Sequence, residues 1–513
     1  MTLDRSSRHR RLDLPPDLRR LRVSEPKAGD PDLSRRAVRG GTLTVAVQAV
    51  KFTVQTGSMI ILARLLLPED FGLLAMVLVF TTLAGLLKDL GLTTATLQSP
   101  TITQGQASNL LWTNVALGTV IAIVFAAAAP QVARFYGEPA VAGIMFALAP
   151  IFILNGLTAQ HLALMRRAMS YGRVAAVEVG GQATAVGVAI AMAANGFGYW
   201  SLVALHGAGA PVVLTLAWTL SGWRPSWPSR GQGVHDLLSF GGYLTGFTFL
   251  NYFTSQADKA LIGWALGAGP LGIYSKAYNL FQLPMRQLSP PVGAVALPTL
   301  SRLRESPDEY RRTYLRTIRL LAYISMPAIA TAAGAADVAI PAILGEQWTA
   351  SAPIFRYLAL GGILAPILWT AGWVHQSLGR ADRQLRWSLV SDPVYVASFF
   401  VGFRWGIEGV ALAFAVTVAA LFLPTMHYAI APSAVRIIDV LRVIMRPLSL
   451  ALMIFVSLRL TWANATLDGF VGLTVLLAVA MAVSVAVLLL WRELRKEVGQ
   501  QFHVARHLRE PST

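Results

Sequence analysis

Forty-three basic residues punctuate this 513-residue chain, yet only six are lysine: Lys27, Lys51, Lys88, Lys259, Lys276 and Lys496. Lys51, Lys88, Lys259 and Lys276 fall in stretches otherwise apolar enough to cross a bilayer, where the only arginines are Arg286 and Arg356, with Arg64 at an edge. A charge at that depth is costly and usually faces a cavity or a partner. Lysine is a compact, strongly hydrated point charge, better suited to holding and releasing a phosphate than the bidentate clamp of arginine. Gln48, Lys51 and Gln55 recur at three and four residues and so share one helix face. Lys88 adjoins Asp89, Lys259 adjoins Asp258, and Arg286 lies between Pro284 and the pair Pro290-Pro291. The set predicts an anion-binding cavity lined by Lys51, Gln48, Gln55, Lys88, Lys259, Lys276 and Arg286, with Asp89 and Asp258 as ion-coupling candidates. The plainer alternative makes Lys88–Asp89 and Asp258–Lys259 parts of buried pairs that fasten helices, and lets Lys276 snorkel to the interface. Lys51 has no acid near it in sequence, which favours a substrate role.

Other chemistries lack their residues. With no cysteine, disulfides, thiolate catalysis and Cys-type metal sites are excluded. The sequence has no GxxxxGK[ST] phosphate loop, HExxH, GxSxG or clustered histidines. We therefore expect no enzyme, no metal and no cofactor, so that the cycle draws either on an H⁺ or Na⁺ gradient or on downstream consumption of the product. Adjacent helical residues point about 100° apart, so Asp258 need not pair with Lys259 and could meet Lys276 across a short turn.

The elements that hold these residues follow from composition. Hydrophobic residues make up 55% of the chain, charged residues 13%, and mean hydropathy is +0.55. A soluble domain carries roughly a quarter charged residues, so an all-α polytopic membrane protein is expected. The net charge of +17 is spread between apolar spans rather than gathered into a nucleic-acid footprint. Spans of about 20 apolar residues begin near Gly40, Phe71, Asn109, Ala140, Val174, Tyr199, Leu238, Pro270, Ile318, Pro353, Leu385, Ile407, Met445 and Leu467. With fourteen spans and both termini cytoplasmic, 33 of the 43 basic residues fall in cytoplasmic segments, and twelve spans is the alternative reading. Three prolines make the eighth span a candidate broken helix at a cavity.

Three echoes recur in order at offsets of about 200 to 210: Ala63–Leu73 with Gly263–Ile273, Tyr136-Gly-Glu138 with Leu344-Gly-Glu346, and Gly196-Phe-Gly-Tyr199 with Gly406-Ile-Glu-Gly409. They predict two pseudo-symmetric six-helix halves with a substrate path between them, plus two C-terminal helices. The expected organisation is a disordered basic tail at 1–39, a six-helix half at 40–221 and a cytoplasmic linker at 222–237. A second half at 238–430, two additional helices at 431–491 and a cytoplasmic tail at 492–513 follow.

Ile60–Met76, Asp89–Gln98, Leu238–Gly242, Asp258–Gly263, Leu271–Asn279 and Trp405–Leu412 together resemble the lipopolysaccharide/exopolysaccharide flippase family of the multidrug/oligosaccharidyl-lipid/polysaccharide exporter superfamily. The resemblance runs from about Gly40 to Ile430. It implies a two-lobed bundle in the bacterial inner membrane that moves undecaprenyl-diphosphate-linked oligosaccharide to the outer leaflet. Membrane lipids, and in such pathways a polymerase and export proteins, are the implied partners. The chain departs from the pattern at Trp264, where an arginine is often found. The competing readings are a cation-coupled drug exporter of the same superfamily and a non-transporting member of a polysaccharide assembly complex. A drug exporter should line its cavity with acids, and here the bases dominate.

Overall fold

The computed structural model describes residues 31–88, 96, 102–228, 252–465 and 468–490. Among them every regular element is helical. Ten helices are long and apolar enough to cross a membrane, or eleven if one bent pair is counted as a span. Large apolar side chains stand at the surface, Val45 at 71%, Val471 at 76% and Met481 at 67% exposure. Contiguous exposed hydrocarbon of this kind needs lipid as its solvent. The chain is a multi-pass membrane protein.

The described residues form two compact units, one running to residue 256 and including 263–269, the other holding 257–262 and everything from 270. The first unit contains α1 (Pro31–Leu65), α2 (Pro68–Lys88), α3 (Gln104–Tyr136), α4 (Pro139–Leu148), α5 (Pro150–Arg167), α6 (Tyr171–Ala194), α7 (Tyr199–Gly207) and α8 (Gly209–Ser221). Proline opens α2, α4 and α5, where its missing N–H has no intrahelical partner in any case. Thr103 caps α3 by accepting from the Gln106 backbone N–H, and the Gln106 side chain accepts from the Thr103 N–H in return. Beyond α8, residues 222–228 are stapled to α3. The Trp223 indole donates to Gln104 at 2.7 Å, the Trp112 indole donates to the Ser226 carbonyl at 2.9 Å, and Trp223 is buried.

Close packing inside this unit depends on small residues, as expected where lipid gives helices no hydrophobic drive to associate. A Cβ on Gly118 of α3 would lie 2.5 Å from the Phe152 carbonyl oxygen, and one on Gly156 of α5 would lie 2.6 Å from that of Asn114. Gly156→Leu is therefore expected to cost about 1–3 kcal/mol through overpacking. Gly187→Leu on α6, with open space around it, should leave thermal stability in detergent unchanged. Equal melting of the two variants would contradict this account of the α3–α5 contact.

Helix α9 (252–266) crosses the boundary between the units. The second unit continues with α10 (Ala268–Arg302), α11 (Pro307–Gly334), α12 (Ala336–Leu344), α13 (Ser351–Gly362), α14 (Ala365–Ser377), α15 (Ala381–Gly402), α16 (Gly406–Ile430), α17 (Ile437–Asn464) and α18 (Gly469–Leu490). The expectation of a broken eighth span is corrected. Residues 268–302 form one helix of 35 residues despite Pro284, Pro290 and Pro291. Proline also sits inside α3, α11, α12, α15, α16 and α17. In spanning helices neighbouring elements and local adjustment compensate for the donor that proline removes, so proline content alone did not mark a break.

The last two helices are built into this unit. Val338, Leu450, Ile454, Leu458, Leu476 and Ala480 share one buried cluster linking α12, α17 and α18. Arg311 near the start of α11 makes a two-pronged bridge to Asp439 near the start of α17, at 2.9 and 2.8 Å. At the far end Gly334 of α11 lies against Leu458 of α17, and Asp337 pairs with Arg459. Starts meet starts and ends meet ends, so α11 and α17 run parallel.

Candidate functional site

In the first unit the candidate site is built on three helices. Lys51 projects from α1 and donates to Glu178 Oε2 of α6 at 2.9 Å. Arg166, one residue before the end of α5, donates to Glu178 Oε1 at 2.8 Å. The Gln182 amide, one turn further along α6, donates to the Lys51 carbonyl at 3.1 Å. All three charged groups are partly exposed, their side chains at 31% (Lys51), 41% (Arg166) and 25% (Glu178). One carboxylate thus faces two cations, and the cluster keeps one positive charge in excess. Gln48 and Gln55 share α1 with Lys51, but their side chains are exposed and stand outside this network.

Two sequence expectations change here. Lys51 does have an acid, supplied by a residue 127 positions away. The tally of membrane acids as Asp89 and Asp258 omitted Glu178, which lies in the span Tyr171–Ala194. A signal was present, since Glu178 stands alone between Val177 and Val179 in an apolar run. Arg166 served in the sequence only as a marker of the cytoplasmic side.

In the second unit Asp258 of α9 is buried, and its partners lie close by. The Tyr274 hydroxyl of α10 donates to Oδ2 at 2.8 Å. The Lys259 backbone N–H donates to Oδ1 at 2.8 Å, and Lys259 Nζ stands 3.5 Å from the same oxygen. Lys259 Nζ also lies 4.0 Å from the centre of the Tyr278 ring, whose hydroxyl accepts from Gln282 at 2.9 Å. Asp258 accordingly meets its sequence neighbour and a tyrosine rather than Lys276. Lys276 is buried with its ammonium 4.8 Å from the centre of the Trp348 ring, an attraction between the cation and the ring's negative face. Lysine 276 is therefore not at the interface. Lys88 is the last residue of α2 and Arg286 lies within α10, but their side chains, and Asp89 altogether, lie outside the described residues. The structure brings Asp258 and Lys259 together with Tyr274 and Tyr278, and Lys51 together with Glu178 and Arg166.

A second acid-centred cluster in this unit was not foreseen. Asp337 of α12 is shared by Arg356 of α13 and Arg459 of α17, one on each carboxylate oxygen. Arg459 also packs over Trp462, 4.5 Å from its ring centre.

A family profile described as polysaccharide biosynthesis protein matches residues 61–353. The chain belongs to the polysaccharide biosynthesis protein family. Its relatives include the teichuronic acid biosynthesis protein TuaB of Bacillus subtilis (strain 168), 27% identical over 330 residues that cover 64% of this chain and 68% of that protein. The lipopolysaccharide biosynthesis protein WzxC of Escherichia coli (strain K12) is 24% identical over 387 residues, 74% of this chain and 78% of that one. Among solved structures the lipid II flippase MurJ, in an inward closed conformation, superposes with a TM-score of 0.68. It is 11% identical, and the match spans 88% of this chain and 99% of MurJ. That likeness establishes the fold of this polysaccharide biosynthesis family member, an all-helical membrane architecture shared with MurJ. The resemblance seen in the sequence motifs is borne out. At the one departure noted there, Trp264 stacks on Phe135, with ring centres 6.2 Å apart and planes 18° apart, so an aromatic contact occupies a position where the flippase pattern often has arginine.

Proposed function

We propose that this protein flips polyprenyl-diphosphate-linked oligosaccharide across the bacterial inner membrane, supplying exopolysaccharide or lipopolysaccharide synthesis by alternating access. The observation that carries the reading is the excess of positive charge where Lys51 of α1 and Arg166 of α5 share the one acid Glu178 of α6, in a chain of the polysaccharide biosynthesis family. An anionic diphosphate headgroup is the part of such a substrate that most needs help to cross, because the prenyl tail stays in lipid. The named relatives act in making teichuronic acid and lipopolysaccharide, both sugar polymers. The protein carries out no covalent chemistry in this scheme, and Asp258 or Asp89 couples H⁺ or Na⁺ to the cycle. A drug exporter is disfavoured because the acids Glu178, Asp258 and Asp337 already have cationic partners. The deciding experiment is a null strain, in which lipid-linked oligosaccharide should accumulate on the cytoplasmic face. Normal transfer to the outer leaflet without this protein would reject the reading.

We further propose fourteen crossings with both termini in the cytoplasm, in two six-helix halves followed by α17 and α18. The parallel course of α11 and α17 supports an even number of crossings from the start of one to the start of the other. Reporters fused after Gly137, Gly345 and Asp468 should all read the periplasm, and those after Arg230 and Arg304 the cytoplasm. A cytoplasmic signal after Asp468 would remove the last helix pair from the scheme.

A further inference from the structure

We infer that Lys51 and Arg166 form a diphosphate-binding site inside the first unit, and that Glu178 is its resident competitor, an internal anion that holds the two cations until a substrate displaces it. This deepens the flippase reading and rests on it for the identity of the ligand, but the site stands on the geometry.

The cations come from two separate helices, α1 and α5, and converge on opposite oxygens of one carboxylate at 2.9 and 2.8 Å. Among the described residues the charged groups bonded to Glu178 are Lys51 from α1 and Arg166 from α5, and Arg173 is the other cation in the opening turn of its own helix. Glu178 meets two cations, as Asp337 does, but the Lys51 and Arg166 side chains are 31% and 41% exposed against 20% and 27% for Arg356 and Arg459, so the surplus charge at Glu178 is the one a ligand can reach. A diphosphate that bridges a prenyl chain and a sugar carries two negative charges at neutral pH, one on each phosphate group, and would balance Lys51 and Arg166 in full. The residue types also differ in a useful way. Arginine presents several donors in a planar fork that matches phosphate oxygens, whereas lysine is a point charge that can follow a moving group. The Gln182 amide bonded to the Lys51 carbonyl ties α1 to α6 beside the site, so exchange of carboxylate for phosphate leaves that contact standing.

A competitor of this kind lowers affinity, which suits a carrier that must let its cargo go. It also keeps the two cations from repelling each other in the empty protein. Monophosphates, with their charge on one centre, are expected to displace Glu178 less well than diphosphates.

The test is binding of farnesyl diphosphate, farnesyl monophosphate and inorganic pyrophosphate to the full chain in nanodiscs, by calorimetry. Wild type should bind the diphosphates in preference to the monophosphate, and the prenylated diphosphate more tightly than pyrophosphate if the lipid carrier is the ligand. Glu178→Gln, which removes the competing charge but keeps an acceptor, should bind farnesyl diphosphate about tenfold more tightly, equivalent to ~1.4 kcal/mol. Arg166→Gln leaves Glu178 paired with Lys51 and so stays folded even where Glu178→Gln does not. It should weaken binding by about tenfold and abolish the preference over monophosphate. No binding to wild type, weaker or equal binding by folded Glu178→Gln, or unchanged binding by Arg166→Gln would each overturn the inference. The flippase reading would survive any of these if the null strain still accumulated lipid-linked oligosaccharide. Conversely, diphosphate binding with the expected variants but no accumulation would keep the site and reject the flippase.

Discussion

Lys51→Ala is expected to slow flipping in vesicles by roughly ten- to a hundredfold while the protein accumulates in the membrane at normal levels. Both halves of this outcome follow from the shared carboxylate. Removing Lys51 leaves Glu178 still bonded to Arg166 at 2.8 Å, so no acid is stranded at depth and the fold has little reason to fail. What disappears is one of two cations available to a diphosphate, and a single charge-assisted phosphate contact is worth about 1.5–3 kcal/mol. That corresponds to a loss of roughly ten- to a hundredfold in rate when the contact is needed at the top of the barrier. Lys51→Arg keeps the charge and should retain part of the activity. Wild-type flipping by Lys51→Ala, measured with labelled prenyl-diphosphate oligosaccharide in reconstituted vesicles, would remove Lys51 from the headgroup path.

Asp337 shows the opposite logic and gives the largest expected effect on stability. Here the shared group is the one removed. Asp337→Ala leaves Arg356 and Arg459 facing each other with side chains only 20% and 27% exposed. Breaking a buried ion pair from one side costs about 3–5 kcal/mol, because the remaining charge is stranded. The cluster ties α12 to α13 and α17, so the loss should appear as a lowered melting temperature and as earlier proteolysis of the α17–α18 pair. Replacing the whole cluster, with Asp337→Leu, Arg356→Met and Arg459→Leu together, should recover most of the stability, since apolar groups of similar volume often match a buried ion pair. If the single variant melts like wild type, the cluster does not anchor the C-terminal helices. If the triple variant flips normally, the two arginines have no part in transport.

The class of this protein was legible in the sequence because it is set by counts that no fold can change. A chain with 13% charged residues cannot cover itself with water-compatible surface. The retention of lysine at membrane depth also drew attention to Lys51, which the structure places in a charged cluster. Pairing is another matter. Glu178 is separated from Lys51 by 127 residues, and Asp337 from Arg459 by 122, distances over which sequence carries no register. Only the approach of α1, α5 and α6, set by helix packing in the first unit, decides that Lys51 and Arg166 share one acid. The contrast at Asp258 is instructive. Helix geometry did not require its neighbour Lys259 to pair with it, yet a flexible four-carbon stem lets the ammonium reach back to within 3.5 Å of the carboxylate. Likewise the prolines of α10 marked a break by local rules, and tertiary packing held the helix continuous. What each residue can do follows from its side-chain chemistry and is already written in the sequence. Which charges neutralise one another depends on how distant helices cross, and that belongs to the tertiary structure alone.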